Sequence, residues 1–128
     1  MKEIARLLLA FYGTCKNVHY NGRGDKYYSQ HLLGDRLIDE LDPFDVIDHM
    51  QECTLLGHNK AFLNWNDIIC NDYVGDSIEH LKDLLEALEE EISNQKFDKG
   101  DESYWTGVLD KVNMCKGFVY RSMKQWVQ

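Results

Sequence analysis

The sequence predicts an all-α protein built as a four-helix bundle with one long crossover connection. Apolar residues recur at intervals of three and four along most of the chain, and no segment has the strict alternation of a half-buried strand. A length of 128 residues fits one domain with one core. A single proline and the lack of any serine- or glycine-rich tract leave no place for a linker. We therefore expect one domain over residues 1–128.

Two helices are predicted in the first half of the chain. The first runs from the initial methionine to about Val18, on one apolar stripe: Ile4, Leu7, Leu8, Phe11 and Cys15. The second runs from about Tyr27 to Gly57, where the glycine closes it. Asp42 reads as an N-cap with Pro43 at the first helical position, so this helix is predicted to kink or restart there.

The second half is predicted to hold a short helix and two long ones. The short one lies within "NKAFLNWNDIICNDYVGD", which has an apolar face but little length. Ser77 opens the next helix, which ends near Phe97, and Asp101 is predicted to cap the last one. Two helix pairs joined by a longer connection make a ferritin-like bundle, with the short extra helix in the crossover between helices 2 and 3.

Charge and cysteine usage limit the partners and the compartment. The net charge is −8, with 22 acidic residues against 14 basic, so DNA binding is not expected. The first apolar run is short and carries Lys2, Glu3 and Arg6, which predicts neither a signal peptide nor a membrane span and favours the cytoplasm. Four widely spaced cysteines without a C-x-x-C pair are predicted to be reduced thiols: Cys15, Cys53, Cys70 and Cys115.

A candidate metal site lies at the start of the second helix. His31 and Asp35 are four residues apart and share one helix face, while His19 lies just past the preceding helix. A turn between them would fold His19 towards His31, and imidazole with carboxylate suits iron or zinc. No Glu-x-x-His motif occurs, so a di-iron site inside the bundle is not expected. The alternative is that these are ordinary solvated surface residues.

A second acidic face follows Pro43 and contains Asp48 and Glu52. Asp35 and Asp48 would lie roughly 20 Å apart along a helix rising about 1.5 Å per residue, too far to share one metal within a chain. Two chains related by a twofold axis would bring the histidine end of one to the acidic end of the other. Three further histidines lack a partner at ligand spacing and are predicted to be surface residues or caps: His49, His58 and His80.

The pattern H-Y-N-x-R-G-x-x-Y-x-x-x-H-x-x-x-D from His19 to Asp35 resembles the signature of the Dps family, the mini-ferritins. The resemblance implies a homo-oligomeric shell, a dodecamer, that oxidises Fe(II) with hydrogen peroxide or dioxygen at sites shared between subunits and stores Fe(III). It also implies a role in iron homeostasis and oxidative stress. Some members hold DNA through a lysine-rich terminal extension, which has no counterpart before the first predicted helix.

By this resemblance the metal-ligating and catalytic residues are His19, His31, Asp35, Asp48 and Glu52. Counted from Asp35, the acidic pair arrives two residues late with Pro43 in between, so a local insertion must be assumed. Zinc is a possible substitute for iron. Two alternatives stay open: a non-catalytic ferritin-like shell or interaction protein that lost its metal chemistry, and a shell that binds zinc for structure alone.

Overall fold

The computed structural model describes residues 2–21, 27–56, 66, 71–97 and 99–127. Within them the protein is all-helical and has no strand, which confirms the predicted class. The long helices are α1 Lys2–Asn21, α2 Tyr27–Leu41, α3 Pro43–Leu56, α4 Ile78–Asn94 and α5 Lys99–Val127.

α2 and α3 form one helical arm with a break at Asp42. Asp42 has a φ of 49°, the left-handed region that aspartate tolerates better than most residues. Its N–H donates to Ile38 O at 2.8 Å and so closes α2, while its Oδ1 accepts from the Asp45 N–H at 3.4 Å and caps α3. The predicted restart at Pro43 is confirmed.

The helices pack as a bundle in which every neighbouring pair is antiparallel. α1 contacts the α2–α3 arm and α4, and α5 also contacts α2 and α4. The Tyr12 and Phe44 rings meet at 4.7 Å between α1 and α3, and Lys116 Nζ lies 2.7 Å from Glu89 Oε2 between α5 and α4. Since the α2–α3 arm and α4 each run antiparallel to α1 and α5, they lie at opposite corners of the bundle and run in the same direction. The end of α3 and the start of α4 therefore lie at opposite ends of the bundle.

Residues 71–75, which precede α4, pack along α1. Asn71 Nδ2 donates to Arg6 O, the Gly75 N–H donates to Thr14 Oγ1 at 3.0 Å, and Asn17 Nδ2 donates to Gly75 O at 2.8 Å. Residues 71–77 form turns and bends. The rest of the predicted short helix lies outside the described residues, apart from a helical Asn66, and Gly57 and His58 lie outside them as well.

The core contains the apolar stripes predicted from the sequence. Ile4, Leu8, Phe11 and Cys15 of α1 are completely buried, and Trp105 of α5 is buried with them. Cys15 and Cys115 are buried free thiols, as predicted, while the side chains of Cys53 and Cys70 lie outside the described part.

Several helix ends differ from the prediction. α1 continues past Val18 to Asn21, because the polar residues after the apolar stripe still complete its last turn. Ser77 caps α4 as predicted, with its Oγ accepting from the His80 N–H at 3.1 Å. The N-cap predicted at Asp101 is wrong: α5 already begins at Lys99, and the Asp101 side chain binds residues of two helices instead.

Candidate metal centre

His19 and His31 lie together where α1 ends and α2 begins. Their rings stack with centroids 3.7 Å apart and an interplanar angle of 23°. His19 Nδ1 is 2.8 Å from His31 O, and His31 Nδ1 is 3.0 Å from His19 O. Each ring thus bonds to the backbone carbonyl of the other residue. We call this arrangement the His19–His31 pair.

The carbonyl bonds determine which nitrogen of each ring carries the proton. A carbonyl oxygen only accepts, so each Nδ1 must carry a hydrogen and donate it. In the neutral ring, Nε2 is then the basic nitrogen. Histidines that bind metals commonly donate their other ring N–H to a backbone carbonyl in this way. His19 O is also one of the last four carbonyls of α1, which lack a partner within their helix, so His31 caps α1.

Asp35 completes the group predicted from the sequence. Its Oδ1 lies 3.3 Å from His19 Nδ1, slightly farther than the His31 carbonyl oxygen. The Asp35 side chain is 51% exposed and that of His19 is 13% exposed, so the carboxylate borders the solvent while the ring is mostly covered. The structure brings His19, His31 and Asp35 together as expected, with the carboxylate on the Nδ1 side of the His19 ring.

Gly34 allows α1 and α2 to approach this closely. A Cβ atom at Gly34 would lie 2.5 Å from Cys15 O and 3.1 Å from His19 Cβ, so no larger residue fits at this helix spacing. Gly34 was not predicted to be a site residue. A glycine inside a helical pattern, between Leu33 and Asp35, is the signal that would have indicated a close backbone approach.

Asp48 and Glu52 occupy a different place. Both lie on α3, beyond the break at Asp42, and both are exposed. Val46 and Met50, two positions earlier in each case, are buried in the core. In the described part of the chain, no three histidine, cysteine or acidic side chains gather in a way that could hold a metal ion. The chain thus presents the histidine group and the acidic pair on separate helices.

A second group of polar and aromatic side chains, centred on His49, links α3 to α5. His49 Nε2 is 2.8 Å from Asp101 Oδ1, and Asp101 Oδ2 accepts from Trp105 Nε1 at 2.9 Å. The His49 ring stacks on Tyr104, with centroids 3.5 Å apart. The prediction that His49 is a surface residue or cap is wrong, because it is only 25% exposed and ties two helices together. Asp101 and Trp105 are four apart on one helix face, but nothing in the sequence indicates their partner on α3.

No protein-family model, curated protein or solved structure matches the chain. The resemblance to the Dps family therefore depends on the pattern from His19 to Asp35 and on the helix layout. Among the described helices, none is both long and apolar enough to cross a membrane.

Proposed function

We propose that the chain is a Dps-like ferroxidase and iron-storage protein that binds Fe(II) between two subunits. The observation that carries this proposal is the His19–His31 pair, in which both Nδ1 atoms are engaged by carbonyl groups. Two rings oriented in this way present nitrogen donors suited to iron, and the Asp35 carboxylate on the Nδ1 side of the His19 ring holds that ring and adds negative charge. Zinc is the substitute that the same donors would accept.

The second half of the site would come from another copy of the chain. Asp48 and Glu52 are exposed and one helical turn apart on α3, so a partner subunit can approach them. A twofold axis that places the acidic pair of one subunit opposite the His19–His31 pair of the other would complete two equivalent sites. The antiparallel neighbours and the crossover support a ferritin-like bundle, and the resemblance suggests assembly into a dodecameric shell.

The proposed reaction is the oxidation of Fe(II) by hydrogen peroxide or dioxygen. Two Fe(II) ions each give one electron, the O–O bond of peroxide breaks, and two protons complete two water molecules. Dioxygen is the alternative acceptor, with four Fe(II) oxidised for each molecule reduced to water. His19 and His31 would hold the substrate ion, while Asp35, Asp48 and Glu52 supply negative charge that favours Fe(III). The net charge of −8 supports an acidic cavity for the mineral.

The test compares the parent with His31→Ala, Glu52→Gln and a control, Glu90→Gln, which removes an equally exposed carboxylate on α4. Iron oxidation is followed by the ultraviolet absorbance of Fe(III), and particle mass by light scattering. We expect both site variants to lose rapid oxidation with helix content and assembly retained, because neither side chain is part of the apolar core. The control should match the parent.

Any of the following results would count against the proposal. A monomer of 15.0 kDa in solution would remove the shared site. Parent-like oxidation in His31→Ala would exclude His31 as a ligand. Unchanged kinetics in Glu52→Gln would exclude Glu52 from the site. Slow oxidation by the parent itself would favour a non-catalytic shell, and retention of zinc rather than iron by protein from iron-supplemented cells would favour a structural metal.

A further inference from the structure

A small pocket lies where α2 faces α5, on a different side of α2 from the His19–His31 pair. Its volume is about 280 Å³, and it is open to solvent. Two arginines, two serines, two leucines and one phenylalanine line it. The polar members come from both helices, with Ser29 and Arg36 on α2 and Arg121 and Ser122 on α5.

Both arginines of the pocket pack against the ring of Phe118. Arg36 Cζ lies 4.3 Å from the centroid of the Phe118 ring, and Arg121 Cζ lies 5.1 Å from the same centroid. Arg121 Nε also donates to Gly117 O at 3.3 Å. Stacking on a ring restricts a planar guanidinium, so less side-chain entropy remains to be lost when a ligand binds.

The charge around this pocket is opposite to that of the chain as a whole. Among the described residues, no acidic side chain lines the pocket, although the chain has 22 acidic residues. Between described residues, neither Arg36 nor Arg121 lies within ion-pair distance of a carboxylate. Two cations that share one ring repel each other, and a bound anion would relieve this repulsion.

We propose that this pocket binds a small anion that carries a phosphate group. The two guanidinium groups would each donate paired N–H bonds to phosphate oxygens, a geometry that suits arginine. Ser29 and Ser122 add hydroxyl donors from the two helices. Leu32, Leu33 and Phe118 form an apolar wall that also admits a small organic group esterified to the phosphate.

The test is titration of the iron-free protein with inorganic phosphate and with phenyl phosphate, by calorimetry and by the NMR signals of the arginine Nε–H groups. We expect saturable binding of at least one of the two. Arg36→Gln and Arg121→Gln should each weaken it by about tenfold or more, since each removes a charge-assisted pair of bonds. Arg36→Lys should weaken it as well, because lysine keeps the charge but not the planar pair of donors.

Lys111→Gln is the matched control, because it removes one exposed positive charge from α5 outside the pocket. Its affinity should stay within about twofold of the parent, as expected for a screened surface charge. Tighter binding of phenyl phosphate would identify an ester as the ligand class, and tighter binding of the inorganic ion would identify free phosphate. The proposal fails if neither probe saturates, if Lys111→Gln weakens binding as much as Arg36→Gln, or if Arg36→Lys binds like the parent. These results are independent of iron oxidation.

Discussion

Replacing Gly34 by alanine tests the close contact between α1 and α2 that forms the His19–His31 pair. The added Cβ would lie 2.5 Å from Cys15 O, whereas a carbon–oxygen contact normally needs about 3.3 Å, so α2 must withdraw by about 0.8 Å. If α2 moves by that amount, the distance from His19 Nδ1 to His31 O grows from 2.8 Å to about 3.6 Å, which is beyond hydrogen-bond range. The ring pair should therefore come apart.

The free energy of unfolding should fall even though alanine favours helix. Overpacking a close contact typically destabilises by about 1–3 kcal/mol, and each of the two ring–carbonyl bonds contributes about 1 kcal/mol. Against this, alanine gains about 1 kcal/mol over glycine within a helix. We expect Gly34→Ala to lower the free energy of unfolding by about 2–4 kcal/mol.

Gly107→Ala is the control, because a Cβ at Gly107 in α5 would meet no atom within 4 Å. At Gly107 only the higher helix propensity of alanine acts, so this variant should be up to about 1 kcal/mol more stable than the parent. Urea denaturation followed by circular dichroism measures both variants, and long-range proton–nitrogen NMR spectra report the ring tautomers. If Gly34→Ala were as stable as Gly107→Ala and kept both Nδ1–H signals, the close-contact argument would be refuted.

Two more predictions concern the partly buried Asp101 carboxylate and the buried Cys115 thiol. Asp101→Ala removes the acceptor of both His49 and Trp105, so urea denaturation should show a free energy of unfolding lower by about 1–2 kcal/mol. Asp110→Ala, at an exposed position of α5, should change it little. Equal effects of the two substitutions would contradict the stabilising role of the Asp101 hydrogen bonds. Burial raises the pKa of the Cys115 thiol from 9.0 to about 12, so the unfolded chain releases this proton first and stability should fall as pH rises from about 9 to about 12. A Cys115→Ala variant should lose less stability over that interval, and an identical pH profile would show that the thiol contributes nothing.

The sequence was sufficient for features that depend on neighbouring residues along the chain. The periodic apolar stripes predicted the core of α1, and Asp42 with Pro43 predicted the break, because capping and proline geometry act within one helical turn. The spacing of His31 and Asp35 likewise placed both on one face of α2.

Features that depend on two distant segments were missed. The contact of His49 with Asp101 spans 52 positions and requires α3 and α5 to be neighbours, which periodicity alone does not specify. Asp101 was predicted to be a cap because its local sequence resembles one, yet α5 begins two residues earlier.

The packing of the 71–75 segment on α1 has a consequence for how the chain reaches its fold during synthesis. α1 and α2 are close in sequence and pair early, but the bonds from the 71–75 segment to α1 join residues 58 to 65 positions apart. Leu33 and Leu37 therefore leave the ribosome well before α4 and α5 exist to cover the first hairpin. Such non-local closure slows folding relative to a bundle of successive hairpins and lengthens the time in which apolar surface is available for aggregation.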